Sequence, residues 1–124
     1  MKRLISVILS AFILSAMLFG CNSYKELSSD DAQDKINSNK DIIVVDVRTP
    51  EEYAGGHLPN AINIDVNGDK FLEGIQSLDK NGDYIIYCFV GVRSLKAIDI
   101  MKAHGFKNVY NLKDGIKNWK GPVE

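Results

Sequence analysis

Cysteine is scarce in this chain. The 124 residues hold two, Cys21 and Cys88, and without a C-x-x-C pair dithiol redox work of the thioredoxin kind is not expected. An excess of positive charge is missing as well: 15 Lys and Arg face 16 Asp and Glu, for a formal net charge of −1. A nucleic-acid binder would show a basic patch or tail, so that class is set aside. There is no internal repeat, no low-complexity tract and no second linker, and the length suits one domain with a modest core. Hydrophobic content of 45% and charge of 25% are ordinary for a soluble globular protein.

What the chain does have begins at its N-terminus. Lys2 and Arg3 precede seventeen uncharged residues, Leu4 to Gly20, the layout of a charged region and an apolar region in a secretory signal. The run is slightly long for a signal and slightly short for a membrane span, so length leaves the two close. The stretch Leu18-Phe19-Gly20-Cys21 resembles the lipobox of bacterial lipoproteins, although Phe19 stands where a small or β-branched residue is usual. The resemblance implies cleavage before Cys21, a thioether-linked diacylglycerol on that cysteine and an acylated N-terminus. Several acyl chains anchor stably, at roughly 0.8 kcal/mol per buried methylene. The expected arrangement is a signal peptide over 1–20, a lipidated cysteine and short tether over 21–27, and one domain over 28–124. An uncleaved signal anchor is the other reading, and both put the domain outside the cytoplasm at a bacterial membrane. Loss of Lys2 and Arg3 leaves 13 basic against 16 acidic side chains, a charge of about −3. Lipidation of Cys21 leaves Cys88 as the one free thiol, with no partner for a disulfide, so it is either buried or reactive.

From Tyr24 the chain alternates apolar runs with amphipathic segments. Tyr24–Leu27 suits a short strand, and Ser28 or Ser29 can cap a helix reaching about Asn39, with Asp30 and Asp31 where the helix dipole favours acids. IIVVDVR, residues 42–48, is a β-branched run of the kind buried on both faces of a sheet. Thr49-Pro50-Glu51-Glu52 has the form of a helix start with a capping box, Thr49 as N-cap and Pro50 at the first position. Ala61–Ile64 and Tyr84–Tyr87 are further strands, with a short helix between Asp69 and Leu78. Ser94 to His104 carries Leu95, Ile98 and Met101 on one side, as in an amphipathic helix. Asn108–Tyr110 gives a last strand and Asp114–Trp119 a last short helix. The alternation predicts an α/β domain, a parallel sheet covered on both faces.

Cys88 ends an apolar strand, and residues 88–93 connect it to a helix expected from Ser94. Ligands of open parallel sheets bind beyond the carboxyl ends of the strands. A loop there turns backbone N–H groups inward beside a helix N-terminus, making an anion site that favours thiolate over thiol. Gly91 suits a tight curl, and Arg93 can bind an incoming anion or brace loop carbonyls. An inert strand-end cysteine is the bland alternative.

Three stretches resemble the rhodanese-like domain family: DVRTPEEYAGGHLPNAINI from Asp46, CFVGVRS from Cys88 and NLKDGIKNWKGPVE at the end. The resemblance implies a three-layer α/β/α fold with a five-stranded parallel sheet, and a persulfide carried on Cys88. Related phosphatases on this fold use C-x5-R, whereas Phe89, Val90, Gly91 and Val92 give C-x4-R, the count of the sulfurtransferase loop. The implied function is transfer of sulfane sulfur from thiosulfate or a persulfide to a thiophilic acceptor, with no metal or organic cofactor. Cys88 is the expected nucleophile, and Phe89, Val90, Gly91, Val92, Arg93 and Ser94 the substrate-binding loop. Asp46 and Arg48 are expected in support, the carboxylate accepting loop N–H groups and Arg48 pairing with Glu52. His57 and His104 are read as a turn residue and a helix-dipole partner, and Trp119 as a core or edge anchor. Asp114 stands where the family more often has glycine and could cap the last helix. Only Arg93 is charged in the loop, so weak thiosulfate:cyanide activity is expected, with a protein persulfide or thiol as the better partner. A sulfur-carrier or partner-binding module without small-molecule turnover is the alternative function. A monomer is expected.

Overall fold

A computed structural model describes residues 24–124; Cys21 and the signal-like run before it lie outside the described residues. In chain order the elements are β1 (Glu26–Leu27), α1 (Ser29–Ser38), β2 (Ile43–Asp46), α2 (Pro50–Ala54), β3 (Ile62–Asn63), α3 (Phe71–Gln76), β4 (Asp83–Tyr87), α4 (Arg93–Ala103) and β5 (Asn108–Leu112). A 3₁₀ turn, Ile116–Asn118, follows. The strands form one sheet, order β1-β5-β4-β2-β3, with every pairing parallel.

Strand pleating divides the core into two layers. Val45, Tyr84, Ile86 and Cys88 face one side, packed with Phe71 and Ile75 of α3 and Ala97, Ile98 and Met101 of α4. Val44, Ile85, Tyr87 and Leu112 face the other, packed with Ala32 of α1 and Leu58. β4 is central and buried on both faces, so its carboxyl end is flanked by a hydrogen-bonded strand on each side.

Local signals placed most boundaries. Ser28 caps α1 by accepting from Asp31 N–H, and Thr49 with Glu52 forms the full capping box of α2 behind Pro50. Two readings are corrected. α4 starts at Arg93, one residue before Ser94, because Val92 already has helical dihedrals. The terminal segment is not a helix over 114–119: Asp114 and Gly115 both have φ +63°, which breaks the helical path and leaves a 3₁₀ turn. Asp114 makes no cap there. Among the described residues no helix is long and apolar enough to cross a membrane.

Candidate active site

Cys88 follows the last residue of β4 and is 1% exposed, with its sulfur on the α3/α4 side of the sheet. The chain then curls through Phe89–Val92 into α4. Gly91 N–H donates to Cys88 Sγ at 3.1 Å, and the Val90 and Ser94 N–H groups stand beside it on the loop and the first turn of α4. Burial pushes the Cys88 thiol up, but the Ser94 hydroxyl and these N–H groups outweigh it, so the thiol is more acidic than an ordinary cysteine. Stabilisation of the thiolate thus comes from the loop backbone and one hydroxyl.

For the N–H groups to face inward the loop carbonyls must face out, and they need partners. Cys88 C=O accepts from Ile116 N–H and Phe89 C=O from Lys117 N–H, each at 3.0 Å. The turn after β5 therefore clamps the loop from behind. Gly115 makes the clamp possible: a Cβ there would lie 2.3 Å from Phe89 O and 2.5 Å from Cys88 O. Gly91 has φ +94°, and a Cβ there would stand 3.2 Å from Asp114 N. The loop is thus pinned at both glycines.

Arg93 does not brace the carbonyls. It forms a two-pronged ion pair with Glu52 of α2, at 2.7 and 3.0 Å. The Arg93 hydrogen bonds hold the Glu52 carboxyl down to about 2. This corrects the expected pairing of Arg48 with Glu52. Arg48 instead binds Asp46, its neighbour at the end of β2, at 2.7 Å, and reaches Gly56 C=O at 2.7 Å. Nor does Asp46 accept from the active loop. Its fully buried carboxylate accepts from Arg48 N–H, the Arg48 guanidinium and Tyr87 O–H. Burial and the Asp46 carboxylate push the Tyr87 phenol far up, so it stays a donor.

The remaining loop side chains turn outward. Phe89, Val90 and Val92 are 46%, 46% and 68% exposed, an apolar lip around a nearly inaccessible thiol. Ser94 is buried, 3.5 Å from Cys88 Sγ. His57 stacks on Tyr53 at 3.9 Å and lies 3.7 Å from Glu124, away from the sulfur cradle. His104 Nδ1 is 2.8 Å from Ile100 O at the end of α4, and the Trp119 indole donates to Pro122 C=O. Among the described residues no three His, Cys, Asp or Glu cluster as a metal site would require.

Two participants escaped the sequence reading, and a third, Glu52, was read as cap and ion-pair residue but with Arg48 in place of Arg93. Gly115 was marked by the Asp114-Gly115 turn dipeptide. Asn111, buried beneath Ser94, left a weaker mark, a polar residue inside the strand NVYNL.

A rhodanese-like domain family model matches residues 28–122. The chain is 35% identical over 100 residues to a putative sulfurtransferase of Bacillus subtilis, covering 81% of this chain and 94% of that protein. It is 32% identical over 103 residues to a putative sulfur carrier protein of the same organism, covering 83% of this chain and only 55% of the relative. A thiosulfate sulfurtransferase of Coxiella burnetii is 31% identical over 97 residues, 78% of this chain and 88% of its own. Among solved structures, a rhodanese-like domain protein from Staphylococcus aureus superposes with TM-score 0.72 at 35% identity, covering 81% of this chain and 96% of that one.

Proposed function

The chain belongs to the rhodanese-like domain family, and from that premise we propose that it is a sulfurtransferase working through a persulfide on Cys88. The observation that carries this reading is the cradle itself: a buried sulfur at a strand end, met by the Gly91 N–H at 3.1 Å with the Ser94 hydroxyl 3.5 Å away.

The chemistry conserves electrons without an external oxidant or reductant. Cys88 thiolate attacks the sulfane sulfur of the donor, forming an Sγ–S bond as the donor's own S–S bond breaks. With thiosulfate, sulfite departs with that electron pair. The persulfide anion then lies in the field of the loop N–H groups, which stabilises its charge. An acceptor thiolate then attacks the outer sulfur, the Sγ–S bond breaks, and Cys88 thiolate returns.

Two features narrow the substrate. Arg93 is bound to Glu52 on both prongs, so the cation that a phosphate would need is already engaged, which supports sulfur over phosphoryl chemistry. The lip of Phe89, Val90 and Val92 offers no charge to a dianion, which favours a protein persulfide or thiol and weak turnover of thiosulfate with cyanide. The same exposed lip supports a second reading, a carrier that hands sulfur to one protein partner. A donor panel with intact-mass readout tests the proposal: gain of one sulfur atom on Cys88 is expected. A folded protein that gains none with thiosulfate, polysulfide or a protein persulfide would overturn it. Retention of a partner by Cys88→Ser on a pull-down would favour the carrier.

The proposal extends to location. Leu18-Phe19-Gly20-Cys21 supports a lipid anchor on the outer side of a bacterial membrane. Labelled palmitate should enter the protein and be lost in Cys21→Ser; labelling that survives the substitution would contradict the anchor.

A further inference from the structure

Behind the cradle lies a buried polar chain that the mechanism above does not use. Ser94 Oγ is 2.6 Å from Asn111 Oδ1 and 3.5 Å from Cys88 Sγ. Asn111 Nδ2 in turn faces Glu26 Oε1 at 3.1 Å and Gly91 O at 3.5 Å. Cys88, Ser94 and Asn111 are all 1% exposed or less, so each polar atom must find its partner within this set.

The hydrogen directions follow from chemistry. Both neighbours of Nδ2 are pure acceptors, which fixes the amide orientation and leaves Oδ1 toward Ser94. Oδ1 cannot donate, so Ser94 must, and a hydroxyl has one proton. In the thiol form the arrangement is complete: Cys88 S–H donates to Ser94 Oγ, and Ser94 donates to Asn111. When Cys88 loses its proton to solvent the chain is mismatched, because the thiolate now faces an oxygen lone pair. Rotation of the hydroxyl exchanges a neutral hydrogen bond to Asn111 for a charge-assisted one to sulfur, which is the stronger kind.

We propose that Asn111 is a positioning residue for sulfur transfer, holding the Ser94 proton while Cys88 is a thiol and yielding it when charge develops on the sulfur. Residue 111 thereby sets how readily Cys88 ionises. The proposal rests on Cys88 being the nucleophile of the reading above. The charged groups around the loop are Arg93 with Glu52 from α2, Asp46 with Arg48 at the end of β2, Glu26 on β1 and Asp114 after β5. Of these only Glu26 joins the chain, through Asn111.

The test is the pH dependence of Cys88 alkylation by iodoacetamide in the full-length protein, with no sulfur donor present. Asn111→Leu removes the acceptor at nearly constant volume, frees the Ser94 proton for the sulfur and should lower the midpoint by about half to one pH unit, roughly three- to tenfold more thiolate. Asn111→Asp competes harder for that proton and adds negative charge, and should raise the midpoint. In a Ser94→Ala background the Asn111→Leu shift should vanish. An unchanged or raised midpoint in Asn111→Leu, or a shift that survives Ser94→Ala, overturns the proposal. If Asn111→Leu does not fold, Asn111→Asp decides alone: an unchanged or lowered midpoint overturns the proposal. Wild-type protein that takes up no sulfur would sink the sulfurtransferase reading while these midpoints still stand or fall separately.

Discussion

β2 and β4 lie side by side and end at the same edge of the sheet, one in Asp46 and the other in Tyr87. Beyond β2, charge is buried and closed on itself: Asp46 and Arg48 bind one another, Tyr87 O–H fills a further carboxylate position, and Asn63 Nδ2 takes the Asp46 and Arg48 carbonyls. Beyond β4, among the described residues, no charged side chain makes a hydrogen bond to the sulfur, which is met by the Gly91 N–H and one shared hydroxyl. A charge satisfied on every side fixes geometry but has nothing left to offer a reactant. An array of N–H groups around a buried thiol is incomplete until the sulfur ionises or takes a second sulfur. The first end is scaffold and the second is where reaction can occur.

The sharpest way to break that division is to disable each end in turn. Cys88→Ser should abolish sulfur uptake completely while far-UV circular dichroism and melting temperature stay close to wild type. Asp46→Ala should do the reverse. It leaves Arg48 buried without its carboxylate, at a cost of about 3–5 kcal/mol in urea unfolding, while protein that remains folded still takes up sulfur. An Asp46→Ala protein of wild-type stability that takes up no sulfur would place chemistry at β2 and dissolve the contrast.

A smaller effect comes from the curl of the cradle. Gly91→Ala puts a side chain at φ +94°, with strain of about 1–3 kcal/mol. The Gly91 N–H should tilt from the sulfur, so the midpoint of Cys88 alkylation should rise along with the loss of stability. A stability loss with no change in midpoint would separate that N–H from the thiolate.

The smallest effect belongs to Glu52 and Arg93. The Glu52 carboxyl lies at about 2 when folded, below its ordinary 4.5. Its stabilisation is therefore full above about pH 4.5 and is lost as pH falls toward about 2. Both side chains are about one-third exposed, at 30% and 33%. Solvent screening holds the contribution to roughly 1 kcal/mol or less. Glu52→Gln should flatten this part of the stability–pH curve, measured by urea unfolding from pH 7 to 2.5.

Signals that act within a few residues were legible in the sequence. The run over 42–48 announced β2, and Thr49, Pro50 and Glu52 announced α2 and its cap, because period and capping chemistry are local. Cys88 and Gly91 were legible for the same reason, on a strand end and a tight loop. Pairings across the fold were not. Arg48 and Arg93 both had access to acids, and only the placement of α2 against α4 gave Glu52 to Arg93. Clamping of the loop carbonyls by Ile116 and Lys117 joins segments 28 residues apart through backbone atoms, which no side-chain pattern encodes. Asp114 was misread as a cap because its positive φ is set by the turn it enters and not by its own side chain.

The most direct test follows one sulfur atom through the protein. Protein loaded from a donor carrying radiolabelled sulfane sulfur is desalted and given an excess of acceptor thiol. About one label per Cys88 is expected before the thiol is added, with transfer of that label to the acceptor afterward and none held by Cys88→Ser. Label held equally by Cys88→Ser, or label that never leaves Cys88, would contradict that transfer.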